Sequence, residues 1–597
     1  TSVNLNVPGA NGHRNLIFVA QADSLSINNF QLKGMTGNKN IPLFQRYIMV
    51  SAVRTVFLSD FTLEGNQLSS GDTETAFVYI SDDVVVDSYY PMQINLTRWK
   101  IKACSFVQSF MVVNVKFNQF VNFGGFDLTD LEMSGQNSRF GRQTAFLDFD
   151  CQPTFGGTTD TPTKYIYMKD ITLNQTSFES AAFVDLMYYA SITTPCVEVI
   201  HCEFSNSSFN DINVNQGRMI AAEGMLLALS QVSIRNNHIM NLSSFISIER
   251  TASSLLISNV VMNSGSISAQ SHFIYQRYQS NRNQAIEMCF QNTEESTVFA
   301  EVIPVVMEKS AFNGLALDQE SYIMRSSHST VLVHECNFTN IQISDSQLIN
   351  LGGHSLYLNP ASFFADPTGI LKNQAISSFV LSYFPFAEDR VFSNHPDLGA
   401  SYWQARNSIM DHYPTQAVNY LSIRDCYFEH IKITSGSNTF LNFANDDVFN
   451  SSISLENNRF QNISNTLNTE TYLIAVNNIP FSSFINNSAT QITTPGSFLS
   501  LTAEKIVEMK LLSNSISLTQ ILSFYTITSS NCSTIVIDDN HVNEILSKLD
   551  FISITCDTFD TYLAITGSTF EKIELRSDNN YVTAVNFISF VAQTPTF

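Results

Sequence analysis

The 597-residue sequence predicts an all-β fold, a β-solenoid of about sixteen stacked rungs with one long lateral insertion. Three observations predict it. A short strand motif recurs along most of the chain. The composition favours strands: Phe occurs 47 times, Asn 56 times, and charged residues make up only 14%. No stretch sustains the i, i+3, i+4, i+7 apolar period of a helix.

The motif is clearest at four cysteines: Cys104-Ser-Phe106, Cys202-Glu-Phe204, Cys336-Asn-Phe338 and Cys426-Tyr-Phe428. Apolar residues stand five and three positions before each, as Trp99 and Ile101, Val197 and Val199, Val331 and Val333, and Leu421 and Ile423. With small or apolar residues allowed in the Cys slot, further anchors are Phe30, Phe61, Leu131, Thr176, Asn237, Val260, Ser310, Asn458, Asn514, Asn540 and Ser568, with Phe484 a weaker match. A second motif follows most anchors, as in Phe245-Ile-Ser-Ile248, Leu348-Ile-Asn-Leu351, Phe440-Leu-Asn-Phe443, Phe498-Leu-Ser-Leu501 and Phe551-Ile-Ser-Ile554. Both motifs alternate apolar and polar residues at period two, so each is a half-buried strand. One such unit cannot bury its own apolar face. Stacking units in parallel turns the inward residues into columns. At ~4.8 Å per rung the stack is roughly 75 Å long, so residues 1–597 form a single elongated domain.

With this strand pattern spread over most of the chain, the sequence resembles the right-handed parallel β-helix superfamily, the pectin-lyase-like fold. That superfamily includes polysaccharide lyases, polygalacturonases, tailspikes, adhesins and large surface proteins of protists. The Asn- and Phe-rich, Gly-poor style is most similar to the last group. The resemblance implies a right-handed coil and a surface or structural role.

The anchor Cys, Asn and Ser residues are expected to point inward near a bend, where Asn and Ser bond backbone groups and Cys acts as a small hydrophobe. Cys104, Cys202, Cys336 and Cys426 are read as buried free thiols on non-adjacent rungs. Cys151 and Cys196 follow second-motif strands of neighbouring rungs, as do Cys532 and Cys556, which predicts disulfides Cys151–Cys196 and Cys532–Cys556. Such bridges place the protein outside the cytosol. Asn-x-Ser/Thr sequons stand at Asn95, Asn174, Asn206, Asn241, Asn337, Asn450, Asn462, Asn486 and Asn531. Their number is what the Asn, Ser and Thr content produces by chance. Asn206, Asn241 and Asn462 fall where turns are expected, and covalent N-glycans are expected if the chain is secreted by a eukaryote. Asn340 is read as a candidate for an inward Asn stack.

The gap between Cys336 and Cys426 holds an insertion at about 354–416, with five of the fifteen prolines and the aromatics Phe363, Phe364, Tyr383, Phe384, Phe386, Tyr402, Trp403 and Tyr413. It is expected to contact partners or to cover one face of the solenoid. Smaller excursions are expected near 82–95, 151–165 and 278–304.

Net charge is −22 and no Lys/Arg cluster occurs, so nucleic acid is a poor partner. No run approaches the ~18 apolar residues of a membrane span. A leader peptide is absent, so the chain reads as processed or as part of a longer one. The motifs of a polygalacturonase, an EF-hand, a zinc protease, a P-loop and a Ser hydrolase are missing. The acidic pairs Asp82/Asp83, Glu294/Glu295, Asp446/Asp447 and Asp538/Asp539 point to opposite faces of a strand and are read as solvated turns, not as paired carboxylates. His201, His238, His334 and His541 are read as surface residues. No metal or cofactor is expected. The resulting expectation is a non-catalytic, secreted structural protein of a cell-surface coat or filament. It would stack on copies of itself or on other surface proteins through open ends such as Leu16–Val19 and Val585–Val591. The alternative is a carbohydrate-active enzyme or glycan-binding adhesin on the same fold.

Overall fold

The structure is a computed structural model. It describes residues 15–36, 44–70, 75–82, 91–152, 164–188, 200–223, 225–249, 254–277, 304–326, 330–353, 419–435, 439–445, 451–465, 472–521, 523–547, 552–575 and 588–595. The fold is all-β, with a single 3-10 turn at Phe120–Asn122 and no α-helix among the described residues.

Period-two alternation gives each strand one apolar side, and parallel pairing in strict register stacks those sides into columns. In a first column, Thr75–Ser81, Phe110–Phe117, Ala145–Cys151, Ala182–Tyr188 and Arg218–Glu223 pair in succession, stacking Val78, Val113, Leu147, Val184 and Ile220. In a second, Met92–Lys102, Phe123–Phe140, Lys164–Glu179, Ile200–Asn210 and Leu226–Met240 stack Ile94, Phe126, Ile166, Cys202 and Leu227. These longer strands run on into a third column, where Ser233↔Val261 and Val261↔Ala311 continue the register. One strand from each column makes one rung.

The bend between the second and third columns is a single residue at positive φ. Among the described residues it recurs sixteen times, from Asn29 and Asp60 through Asp425, Asn457 and Asn486 to Gly567. Ten of the sixteen are Asn or Asp, the non-Gly residues that best tolerate the left-handed region. The next residue points inward. In rung order these residues run Phe30, Phe61, Trp99, Leu131, Ile171, Ser207, Val232, Val260, Ser310, Cys336, Cys426, Asn458, Asn487, Asn514, Asn540 and Ser568.

This order corrects the anchor set. Cys104, Thr176 and Asn237 follow the positive-φ residues Ala103, Gln175 and Asn236 at a second bend, within the third column. Cys202 lies mid-strand, and Asn487 replaces Phe484. One sequence pattern fits both bends because both need a left-handed residue followed by an inward one. Cys336 and Cys426 are consequently on adjacent rungs, not distant ones, and the Cys336 N–H donates to Cys426 Sγ at 3.4 Å. Both thiols are buried and reduced, as are those of Cys104 and Cys202. Burial raises the Cys426 thiol well above its ordinary range.

The inward polar residues form a ladder. Asn458, Asn487 and Asn514 each donate a backbone N–H and a side-chain N–H to the Oδ1 of the next rung's Asn, all at 3.0–3.1 Å, and the Asn540 N–H ends the run on Ser568 Oγ at 3.2 Å. The backbone N–H at this bend faces along the stack, so a buried amide oxygen in the next rung satisfies it. Asn340 is not part of such a ladder. It is itself a left-handed bend residue at the surface, and its amide donates to Asn313 Oδ1 at 2.8 Å. Phenylalanine fills another inward column: Phe312, Phe338, Phe428 and Phe460 stack at 5.3, 5.0 and 5.0 Å.

The predicted Cys532–Cys556 disulfide is present and joins neighbouring rungs at a Cα–Cα distance of 6.1 Å. Cys151 is buried, while Cys196 lies outside the described residues, as do Asn450, Asp83, Glu294, Glu295, Asp446, Asp447 and the insertion 354–416. Strand Gln347–Gly353 leads into that insertion and strand Asn419–Arg424 follows it.

Candidate functional site

An inward residue on a strand is flanked by two outward ones. Cys202 and Phe204 point into the core, so His201, Glu203 and Ser205 all face outward from the second column. The preceding rung places Tyr165, Tyr167 and Lys169 directly beside them in register. Stacked partners in parallel strands lie ~4.8 Å apart. Six groups able to donate, accept or transfer a proton therefore share one patch two rungs deep.

The contacts within it are specific. The Tyr165 and His201 rings sit 5.6 Å apart. Ser205 Oγ donates to Tyr167 Oη at 3.5 Å, and Ser230 Oγ, from the next rung, donates to Glu203 Oε1 at 3.3 Å. Burial raises Glu203 to about 7, against smaller opposing effects of the Ser230 hydrogen bond and the Lys169 charge. Burial also lowers His201 to about 3, so its imidazole is neutral at pH 7. His201 Nε2 has no hydrogen-bond partner among the described residues. A carboxyl that titrates near neutrality beside a neutral imidazole and two phenols is equipped for general acid–base chemistry.

The patch sits at a boundary on the outer face of the second column. Before it, the outward column runs Phe57, Asn95, Asp127 and Tyr167, with Phe57 45% exposed and the others half-buried. From Glu203 onward it runs Ala228, Leu256, Val306, Leu332 and Ser422, all buried; Glu203 is 0% exposed, and Leu256, Val306 and Leu332 are 2% each. The neighbouring outward column is buried over the same rungs at Ser205, Ser230, Ser258, Glu308 and His334.

A second outward group lies on the first column. Asp148 accepts from Asn114 Nδ2 at 3.1 Å, and Asp185 is its register partner in the next rung. No group of three or more His, Cys, Asp or Glu able to hold a metal occurs among the described residues.

Several sequence expectations change here. His201 and His334 are buried rather than at the surface, and His334 Nε2 meets Asp425 Oδ2 at 3.0 Å. His238 is half-buried against Ser266, and His541 is exposed as expected. Asp82 is not a solvated turn residue. Its carboxylate accepts from the Asn118 N–H and Nδ2, the Gln119 N–H and Asn122 Nδ2 at 2.8–3.2 Å, fixing the bend before Phe123. Of the sequons, Asn206, Asn241, Asn462 and Asn486 occupy exposed left-handed bends, and Asn337 an exposed strand position. Asn95 and Asn174 are half-buried on strands, and Asn531 lies beside the Cys532–Cys556 disulfide.

The sequence reading missed the patch. Its signal was available: Leu255-Leu-Ile257, Val305-Val-Met307 and Val331-Leu-Val333 are unbroken apolar runs, the mark of strands buried on both faces. His201 and Glu203 stand where that pattern begins.

No protein family profile matches this chain, and no curated protein does. Among solved structures, a mutant of the PL6-family alginate lyase AlyGC aligns over 97% of each chain, with 11% identity and a TM-score of 0.21. At that score the likeness carries no argument about this chain's chemistry. The expectation of a non-catalytic structural subunit is corrected on the site itself, since a purely structural stack does not require the acid–base patch; the comparisons name an alginate lyase and no coat or filament protein.

Proposed function

We propose that this chain is a secreted, carbohydrate-active protein built as a right-handed parallel β-helix. It holds an extended polysaccharide along the open part of the second column and performs acid–base chemistry at Glu203. The observation that carries this reading is the in-register set Tyr165/His201, Tyr167/Glu203 and Lys169/Ser205.

Polar side chains repeating once per rung suit a polymer whose own hydroxyl groups repeat. Phe57 and Tyr167 offer aromatic surface to the apolar faces of sugar rings. Tyr167 and Lys169, both half-buried, would meet the polymer, and Glu203, buried beside Tyr167 in the next rung, would give or take the proton. The disulfide and the surface sequons support an extracellular location, with Asn206, Asn241, Asn462 and Asn486 the best placed for glycan.

A panel of polysaccharides tests the reading, scored for new reducing ends, unsaturated ends and retention on immobilised polymer. The native chain is expected to cleave at least one polymer, and Glu203→Gln to lose about 10²-fold or more of that rate with an unchanged circular dichroism spectrum. Binding without cleavage would reduce the function to glycan recognition. No cleavage and no binding across the panel, or full activity in Glu203→Gln, would overturn it.

A further inference from the structure

The outer face of the first column changes character along the stack. Its strands continue from Arg218–Glu223 through Ser244–Glu249, His272–Arg277 and Tyr322–Ser326 to Gln347–Gly353. One outward column runs from Asp148 and Asp185 through Ala221 and Ser247 to Tyr275 and Arg325. It is acidic at one end and carries a cation at the other. The column beside it places His272, Tyr322 and Gln347 on three successive rungs. We propose that Arg325, His272, Tyr275 and Gln347 form a saccharide site apart from the Glu203 patch, one that takes an anionic sugar unit charged by a carboxylate or a sulfate ester.

The first observation is geometric. Phe273 and Ile274 are both 0% exposed and fill the core, so His272 and Tyr275 on either side of them turn outward. Their rings lie 4.7 Å apart, and Tyr322 of the next rung stacks on His272 at 5.3 Å, 18° from parallel. The Arg325 guanidinium sits 5.4 Å from the centre of the Tyr322 ring. The group is therefore held in place before any ligand arrives.

The second is unmet polarity. His272 is only 6% exposed, and its Nε2 has no hydrogen-bond partner among the described residues. Gln347 Oε1 is buried and likewise unpaired, while its Nε2 donates to Thr439 Oγ1 at 2.9 Å. Buried polar atoms are ordinarily paired, so two unpaired ones two rungs apart on one face suit a ligand that brings hydroxyl groups.

The third is charge. In a chain of net charge −22, Arg325 is exposed and has no ion pair among the described residues. Burial, with a smaller effect of the Arg325 charge, lowers His272 to about 3, so the imidazole is neutral and Arg325 alone supplies the positive charge. A guanidinium fork matches a carboxylate or a sulfate. The neutral imidazole and the Gln347 amide oxygen match sugar hydroxyls, and the half-buried Tyr275 offers aromatic surface to the ring.

The test titrates the full chain with glucuronic acid, glucose 6-sulfate, glucose, acetate and inorganic sulfate, followed by NMR. At least one charged sugar is expected to bind about tenfold or more tightly than glucose and than its bare anion. Arg325→Gln, at an exposed position, should lose about tenfold or more of that affinity with an unchanged circular dichroism spectrum. His272→Phe keeps a ring between the tyrosines but removes the nitrogen, and should also weaken binding. Glu203→Gln should leave it unchanged. No binding of either charged sugar, equal binding of glucose or of the bare anions, full affinity in Arg325→Gln or in His272→Phe, or loss of binding in Glu203→Gln would each overturn the proposal. A chain that binds the charged sugar in this way and cleaves no polysaccharide would uphold it and overturn only the acid–base role of Glu203.

Discussion

The two ends of the stack solve one problem with different chemistry. At the bend between the second and third columns, the N-terminal rungs fill the inward position with aromatic rings. Phe30 stacks on Phe61 at 5.2 Å, and Phe61 on Trp99 at 4.6 Å with the rings 3° from parallel. In the C-terminal rungs the same position is Asn458, Asn487, Asn514 and Asn540, linked by amide hydrogen bonds. The aromatic end takes its stability from area, and the indole N–H that it buries is satisfied by the backbone, Trp99 Nε1 donating to Leu58 O at 3.1 Å. The amide end buries less apolar surface but leaves no donor at the bend unsatisfied. A repeat position therefore has a fixed geometry and an open chemistry, provided neighbours agree.

That comparison is broken most strongly at Trp99. The side chain is fully buried, so Trp99→Ala removes the largest ring of the stack and leaves a cavity beside Phe61, Phe77 and Phe146. The expected loss is about 4 kcal/mol in chemical denaturation. At the other end, Asn514→Leu is close in volume and apolar, yet it strips the acceptor from two Asn487 donors and leaves Phe484 O without the Asn514 amide. Unsatisfied buried groups cost ~1–3 kcal/mol each, so a loss of about 3 kcal/mol is expected. Asn514→Leu being as stable as the native chain would show that the amide end is held by packing alone.

Between the two ends lies the Glu203 patch, where pH separates the contributions. Glu203 titrates at about 7 in the fold against an ordinary 4.5, so the fold binds its proton more tightly than the unfolded chain does. Its contribution is fully present below pH 4.5 and is lost as pH rises through about 7. His201 and His272 run the other way. Burial lowers each to about 3, so their neutral forms favour the fold above pH 6.5, and that advantage is lost as pH falls toward 3. Glu203→Gln removes only the first effect. Compared with the native chain, the variant should gain about 3 kcal/mol between pH 4.5 and pH 8 in urea titrations. A difference that does not change with pH would mean that Glu203 is solvated and would remove the basis for its acid–base role.

Much of the backbone plan was legible because it follows from period-two alternation and a tight bend. Most strand positions, the inward Phe columns and the Cys532–Cys556 pair were readable. Two things were not. The anchor pattern could not separate the two bends, so Cys104 and Cys336 looked equivalent although one lies within the third column and the other at its start. The site was missed because outward residues on a β-sheet are ordinarily solvated, and only the unbroken apolar runs hinted that the outer face continued under cover. His201 looked like a surface histidine because its strand position is an outward one.

The smallest expected effect tests the geometry that both ends share. Asn206 holds φ 46° at its bend, is exposed, and donates its amide to Asp170 of the previous rung. An Asn side chain eases the left-handed conformation by local hydrogen bonding, and Gly removes the steric cost altogether. Asn206→Ala should therefore cost about 1 kcal/mol, while Asn206→Gly should recover most of that loss without restoring the bond to Asp170. If both variants lose the same amount, the Asp170 hydrogen bond rather than the backbone conformation sets the preference at this bend. The ten Asn and Asp residues of the column would then be read as a chain of side-chain contacts along the stack. If Gly recovers the loss, each bend is an independent backbone requirement, which explains how Arg98, Gln231, Lys309 and Glu335 occupy the same position without an Asn or Asp side chain.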